Sequence, residues 1–161
     1  GGGVTLDLGC HGLYMLPLCC GTPKTVTCRM AELCGTGGDE LSTTVMEFEN
    51  GAMGTAVTSF VSCPGVNLME LVGTEGMAIV SGNGPSDYRL LLKSAHMPGF
   101  EELSPVEKEW QDEEYPIVRF ARLVESEERE APEYGLAQGE MLTRIIRCAY
   151  ESAGTGKPVA Y

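Results

Sequence analysis

The sequence predicts an α+β fold, with an open, mostly antiparallel sheet and helices packed on one face of it. Short runs of alternating β-branched and apolar residues follow one another through the middle of the chain, which is typical of neighbouring antiparallel strands. Asn50-Gly51 joins two of these runs and is the strongest hairpin signal, because both residues tolerate positive φ. Helical patterns lie at both ends, and the strand–helix–strand alternation of a parallel sheet does not occur.

The composition is that of one globular domain, which we place at residues 1–161. This length is sufficient for a hydrophobic core, and a hydrophobic content of 43% argues against disorder. A net charge of −12 argues against nucleic acid or an anionic membrane as the partner. No apolar run is long enough to span a bilayer. The seven cysteines include no C-x-x-C pair, which favours free thiols in the reducing cytoplasm.

The first predicted element is a helix over residues 4–20. Its apolar residues fit a helical period loosely, glycines weaken it, and Pro17 is the expected position of a kink. Gly21 followed by Pro23 is a stop signal for this helix.

Strands are predicted wherever β-branched and apolar residues alternate with polar ones. In chain order these are residues 24–34, 41–49, 52–61, 66–72, 77–81 and 88–93. Residues 98–116 are polar and acidic, so we expect an irregular excursion there. We then expect a short helix at 117–124 and a solvated charge run at 125–130. A long amphipathic helix at 137–153 and a last short strand at 157–161 complete the chain.

Three glycine-rich stretches, residues 35–38, 82–84 and 154–156, are predicted to be turns. The first two lack the strand–loop–helix context of a nucleotide-binding loop. The third ends a helix, where the helix dipole repels phosphate. No cofactor-binding residue is therefore assigned. The cysteines and histidines lack the spacing of a zinc site, so no metal ligand is assigned, and His96 is predicted to lie in an exposed loop.

Asp7 and His11 are the candidate catalytic residues. Four residues apart on a helix, they lie on one face, one turn from each other. A carboxylate so placed can orient an imidazole, which can then take a proton from a substrate hydroxyl and return it. The alternative is a capping aspartate beside a histidine packed against a neighbour, and spacing alone favours that alternative.

The stretch Gly1-Gly-Gly-Val-Thr-Leu-Asp-Leu-Gly-Cys-His11 resembles the opening of the C-terminal domain in the Gfo/Idh/MocA family of oxidoreductases. Phe48-Glu-Asn-Gly-Ala52 resembles the family's hairpin turn, and Val72-Gly-Thr-Glu-Gly76 resembles its second turn. Tyr150-Glu-Ser-Ala-Gly-Thr-Gly-Lys-Pro-Val159 resembles its closing helix and strand. These elements occur in family order over nearly the whole chain.

The resemblance implies a substrate-binding and oligomerisation domain of an NAD- or NADP-dependent dehydrogenase acting on a sugar, polyol or related alcohol. It implies that His11 is the general base and that Asp7 orients it and holds substrate. Tyr14 stands where many sugar-handling members have an aspartate, so we assign it to substrate binding. The resemblance also implies a homodimer or larger homo-oligomer formed through the open sheet face.

In this family the cofactor and the catalytic lysine of a Glu-Lys-Pro motif belong to an N-terminal Rossmann domain, and this chain carries neither signature. We therefore expect a segment before residue 1. We also expect the chain alone to bind NAD or NADP poorly and to be inactive. The rival interpretation is a non-catalytic homologue, or a free-standing domain, that serves assembly or ligand binding.

Overall fold

The computed structural model describes residues 2–63, 67–82, 87–107, 115–126 and 135–161. The helices are α1 (Val4–Asp7), α2 (Gly9–Cys20), α3 (Pro116–Glu125) and α4 (Leu136–Thr155). The strands are β1 (Pro23–Ala31), β2 (Leu41–Phe48), β3 (Met53–Ser59), β4 (Leu68–Val72), β5 (Gly76–Ser81), β6 (Arg89–Ser94), β7 (Ser104–Pro105) and β8 (Val159–Ala160). The chain forms two compact units, Gly1–Ser62 with Arg122–Tyr161, and Cys63–Ala121.

Each unit contains an antiparallel sheet of four strands, which confirms the predicted α+β class. The order is β3-β2-β1-β8 in the first unit and β4-β5-β6-β7 in the second. The strands therefore belong to two sheets. The alternation of apolar and polar residues does not reveal this division, because it shows which face of a strand is buried and not which strand lies beside it. A single domain over residues 1–161 stays a prediction.

The core of the first unit lies between one face of its sheet and the helices α2 and α4. The buried cluster consists of Leu13, Val26, Cys28, Met46, Phe48, Ile145, Cys148 and Ala149. Its strand members are alternate residues of β1 and β2, as a period of two requires. The helices of this unit thus cover one face of the sheet, as predicted.

The predicted N-terminal helix is present, but its interruption lies at Leu8 and not at Pro17. Leu8 keeps helical angles (φ −95°, ψ −34°) between α1 and α2. The amide of His11 donates to the Leu8 carbonyl at 3.2 Å, three residues back instead of four, so the α-helical pattern is broken there by a tighter turn. Gly21 ends α2 with φ 93°, as predicted.

The β2–β3 hairpin is confirmed, although its turn differs from the expected one. Of the two turn residues only Gly51 has positive φ, 86°. Asn50 contributes its side chain instead, since its Oδ1 accepts a hydrogen bond from the Ala52 amide at 3.0 Å. Its Nδ2 donates to the Cys20 carbonyl at 3.0 Å. The turn therefore also holds the C-terminal end of α2.

The closing helix and strand are confirmed as α4 and β8, and β8 pairs with β1. Gly156 ends α4 in the left-handed region with φ 73°. Inside the helix, the buried Ser152 hydroxyl accepts a hydrogen bond from the Cys28 amide at 2.9 Å and donates to the Lys157 carbonyl at 2.7 Å. This hydroxyl joins β1, α4 and the last turn of the chain.

The second unit confirms the predicted pair β4–β5 and the following strand β6. The turn of the pair closes with the Gly73 amide donating to the Gly76 carbonyl at 2.9 Å. The excursion predicted at 98–116 contains β7, whose two residues pair with β6. The helix predicted at 117–124 is α3.

Parts of four predicted segments lie outside the described residues: 66, 83–84, 108–114 and 127–130. Among the helices of the described part, none combines the length and the apolar character needed to cross a membrane.

Candidate functional site

The predicted site residues lie on α1 and α2. Asp7 is the last residue of α1, and His11 and Tyr14 follow in the first half of α2. Asp7 and His11 are exposed, whereas Tyr14 is half-buried. Because Leu8 keeps helical angles between them, the spacing of four residues places Asp7 and His11 on successive turns.

Within the described ranges, no hydrogen bond or ion pair joins the Asp7 carboxylate to the His11 imidazole. The backbone carbonyl of Asp7 accepts a hydrogen bond from the Cys10 thiol at 3.1 Å. The catalytic roles of Asp7 and His11, and the substrate role of Tyr14, therefore stay predictions.

His11 lies in a strip of exposed apolar side chains. Leu8, His11, Met15 and Leu18 are all exposed and follow one another at spacings of three and four residues along one side of the helix. We call this the outer strip. Apolar side chains in water do not stabilise the fold, and a row of them is typical of a surface that contacts a ligand or another protein surface.

The start of α1 is fixed by Asp39, which lies in the loop before β2. The Val4 amide donates to the Asp39 carbonyl at 2.7 Å, and the Thr5 amide donates to its Oδ2 at 2.8 Å. The next two amides both donate to the Gly3 carbonyl at 3.2 Å. All four amides at the start of the helix therefore have partners, although no residue of α1 or its N-cap supplies a capping side chain.

Gly3 is required at the N-cap because the Asp39 carboxylate occupies the space of a side chain. A Cβ built on Gly3 would collide with Oδ1 and the carboxyl carbon of Asp39. A Cβ on Gly38 would lie 3.4 Å from the Gly3 Cα. Gly3 and Gly38 thus allow a close approach of two loops.

Tyr150 of α4 completes the surroundings of Asp39, since its hydroxyl donates to Oδ1 at 2.9 Å. Burial alone would raise the pKa of Asp39, but hydrogen bonds from Thr5 and Tyr150 outweigh it, and the pKa is lowered. Burial, and then the hydrogen bond to the Asp39 carboxylate, raise the pKa of Tyr150. At neutral pH the pair is therefore a carboxylate and a phenol, joined by a charge-assisted hydrogen bond.

Glu40 fixes the loop that follows β1. Its side chain is 2% exposed and accepts hydrogen bonds from the amides of Leu33 and Cys34, both at 2.6 Å. The Thr36 side chain and these two amides lower the pKa of Glu40. This carboxylate explains why β1 ends at Ala31 and not at the predicted Cys34: the amides beyond Ala31 turn to Glu40 instead of continuing the strand.

A cleft of about 860 Å³ lies beside Asp39. Its walls include Leu6, Met30, Gly37, Asp39, Phe60 and Tyr150. A carboxylate in the wall disfavours an anionic ligand such as a pyrophosphate. No three Cys, His, Asp or Glu residues of the described part are grouped so that they could hold a metal ion.

The first half of the chain is similar to a known protein family. The model of the GFO/IDH/MocA C-terminal domain matches residues 1–79. This match contains the Asp7–His11 segment, the β2–β3 hairpin and the turn at 72–76, three of the four elements on which the resemblance rests. Residues 1–79 of the chain, just under half of it, therefore match the GFO/IDH/MocA family.

Solved structures support the fold over almost the whole chain. The aldose-aldose oxidoreductase of Caulobacter crescentus, complexed with glycerol, has a TM-score of 0.83 at 16% identity, over 99% of this chain and 48% of its own. An oxidoreductase of Agrobacterium radiobacter, in complex with NAD+, L-tartaric acid and magnesium, has a TM-score of 0.73 at 21% identity, over 98% and 48%. Levoglucosan dehydrogenase, in complex with NADH and levoglucosan, has a TM-score of 0.74 at 17% identity, over 96% and 49%.

The chain spans about half the length of these solved structures, and at such identities the likeness shows the fold alone. The comparison with curated proteins found no match.

Sequence patterns single out Asp7, His11 and Tyr14, whose roles stay predictions, but they do not single out Asp39, Glu40 or Tyr150. Asp39 and Tyr150 give no periodic signal, because their partners lie far away in sequence; Tyr150 and Asp39 are 111 residues apart. The partners of Glu40, the amides of Leu33 and Cys34, lie within seven residues of it but in an irregular loop. The one available sign was the pair Asp39-Glu40 between a glycine loop and a strand, where acidic residues can accept hydrogen bonds from loop amides.

Proposed function

We propose that this chain is the substrate-binding domain of an NAD(P)-dependent oxidoreductase that acts on a sugar, polyol or related alcohol. The observation that carries the proposal is the placement of Asp7 and His11 on successive exposed turns of a segment that matches the GFO/IDH/MocA C-terminal domain. Catalysis of alcohol oxidation needs a base at the hydroxyl, and an exposed imidazole can reach a substrate that a buried one cannot.

In this proposal His11 takes the proton of the substrate hydroxyl, Asp7 orients the imidazole and Tyr14 contacts the substrate. The apolar members of the outer strip exclude water from the reacting carbon once another surface covers them. Glycerol, L-tartaric acid and levoglucosan, the small molecules in the three solved structures, all carry hydroxyl groups. They support an alcohol as the substrate class.

The described residues do not fit a dinucleotide. The loop at 35–38 joins two antiparallel strands, and the turn at 154–156 ends a helix, so neither places a phosphate at a helix N-terminus. A bound nicotinamide would supply the hydride acceptor from a domain outside this chain. We therefore expect no oxidoreductase activity from the chain alone, and measurable turnover by it would contradict this part of the proposal.

The test is the substitution His11→Ala in the complete protein that contains this chain. Loss of a general base lowers kcat/KM by about 10²- to 10⁴-fold. His96→Ala is the matched control, because His96 is the only other histidine and lies in the second unit. It is 69% exposed and paired with Glu75 at 3.0 Å, in the exposed position that the sequence predicts. An unchanged rate in His11→Ala would favour the rival, a non-catalytic homologue.

We also propose that the open face of the first sheet is the interface of a homo-oligomer. Helices α2 and α4 pack on the other face, while Met53 and Val57 of β3 are exposed on the open one. Exposed apolar residues on a sheet face are typical of an interface. Val57→Glu should convert the oligomer to monomers in analytical ultracentrifugation. Leu33→Glu, which changes an equally exposed loop residue, should not.

A further inference from the structure

The helix α1 cannot hold its own conformation. It has four residues, and an isolated helix of one turn is unstable because the cost of nucleation exceeds what its hydrogen bonds return. Its N-cap is a glycine and supplies no capping side chain. Groups outside it therefore contribute to its geometry. Val4 and Thr5 are buried, Leu8 continues the helical angles into α2, and the carbonyl and carboxylate of Asp39 accept the first two amides of the helix.

Tyr150 connects this arrangement to the hydrophobic core of the unit. It lies on α4, whose Ile145, Cys148 and Ala149 are buried in the core. The Tyr150 hydroxyl holds Oδ1 of Asp39 at 2.9 Å while Oδ2 binds the start of α1. The carboxylate is thus fixed from both sides, and its direction follows from where the core places α4.

Hydrogen bonds carry this constraint to the candidate catalytic pair. The Asp7 amide donates to the Gly3 carbonyl at 3.2 Å, and the Leu8 amide donates to the Val4 carbonyl at 3.0 Å. The His11 amide then donates to the Leu8 carbonyl at 3.2 Å. A displacement of α1 would therefore move the backbone that carries both side chains.

We propose that Asp39 and Tyr150 are positioning residues for the Asp7–His11 pair. This inference rests on the function proposed above for that pair. Neither residue belongs to the buried hydrophobic cluster, so their substitution leaves the core intact. Their effect reaches the site through the backbone of α1 and the start of α2.

The first test uses NMR spectra of the 161-residue chain, in which His11 and His96 are the only histidines. Tyr150→Phe removes one hydroxyl and keeps the ring. It should shift the amide signals of α1 and the imidazole signals of His11, and leave those of His96 unchanged. Thr143→Val is the matched control on the same helix, since it removes a hydroxyl that donates to the Gly139 carbonyl at 2.7 Å. It should leave the His11 signals in place.

The second test measures kinetics of Tyr150→Phe and Asp39→Asn in the complete protein. Misplacement of a catalytic group lowers kcat by about tenfold to a hundredfold, with a smaller change in KM. The limb of the pH–rate profile that His11→Ala abolishes should also move. A merely structural role would reduce the active fraction and leave that limb unmoved.

The outcomes separate the two proposals. Shifted His11 signals with an inactive His11→Ala protein and a moved pH limb support both. Unshifted His11 signals in both Tyr150→Phe and Asp39→Asn overturn the positioning role, whatever the activity of His11→Ala. If the His11 signals shift but the His11→Ala protein is fully active, the proposed function is wrong. The catalytic part of this inference is then wrong too, because His11 has no role in turnover.

Discussion

The two sides of the segment formed by α1 and α2 differ in what holds them. On the inner side, Val4, Thr5 and Leu13 are buried, and the first amides bind Asp39. On the outer side, Asp7 and the outer strip are exposed, and within the described residues neither the Asp7 carboxylate nor the His11 imidazole has an ion-pair partner. The inner side determines the fold, which leaves the outer side available for function.

The largest expected effect is the difference in stability between substitutions at Leu13 and Met15, which lie two residues apart on α2. Leu13 is 1% exposed, so Leu13→Ala should destabilise the chain by about 2–5 kcal/mol through lost burial and a cavity. Met15 is exposed, and Met15→Ala should change stability by less than about 0.5 kcal/mol. Urea unfolding of both variants measures the difference. Similar losses in the two would contradict the division into sides.

A smaller effect is expected at Gly3. Gly3→Ala places a Cβ on the Asp39 carboxylate, and relief of this overlap should cost about 1–3 kcal/mol of unfolding free energy. Gly139→Ala is the matched control, because a Cβ there meets nothing within 4 Å. On a helix that change should stabilise the chain by about 0.5–1 kcal/mol. Thermal unfolding compares the stabilities of the two variants. An unchanged stability in Gly3→Ala would contradict the claim that the Asp39 carboxylate excludes a side chain at this position.

The smallest effect depends on pH and concerns Asp39. Its lowered pKa means that the folded state favours the carboxylate, so this stabilisation is complete above about pH 4 and declines as the pH falls further. Asp39→Asn should therefore destabilise the chain by about 1–2 kcal/mol at pH 7 and by less at pH 3. Urea unfolding at the two pH values measures this. A pH-independent difference would show that charge at Asp39 is not what holds α1.

Sequence patterns predicted the order of elements and placed Asp7 and His11 one helical turn apart, because both depend on local spacing; the roles of the pair stay predictions. The β2–β3 hairpin, the end of α4 at Gly156 and the exposed pair Asp7–His11 all follow from residues close together in sequence. The inner side depends on contacts between distant residues. Asp39 reaches Thr5 across 34 residues and Tyr150 across 111, and no periodicity encodes such a meeting.

Contacts with residues outside the element account for two of the local differences. β1 stops early because the Glu40 carboxylate binds the amides of Leu33 and Cys34. The N-terminal helix breaks at Leu8 and not at Pro17 because α1 is fixed by a distant loop, whereas Pro17 lies within a helix that packs on the sheet. In both places hydrogen bonds to an acidic residue outside the element outweigh the local preference on which the prediction rests.

The most direct test of the central claim is a double-mutant cycle on Asp7 and His11 in the complete protein. If Asp7 acts through His11, Asp7→Asn should lower kcat/KM by about tenfold or more in the wild-type background and have almost no further effect in His11→Ala. The double variant should then be about as slow as His11→Ala alone. Effects that multiply independently, or rates unchanged in every variant, would contradict the account.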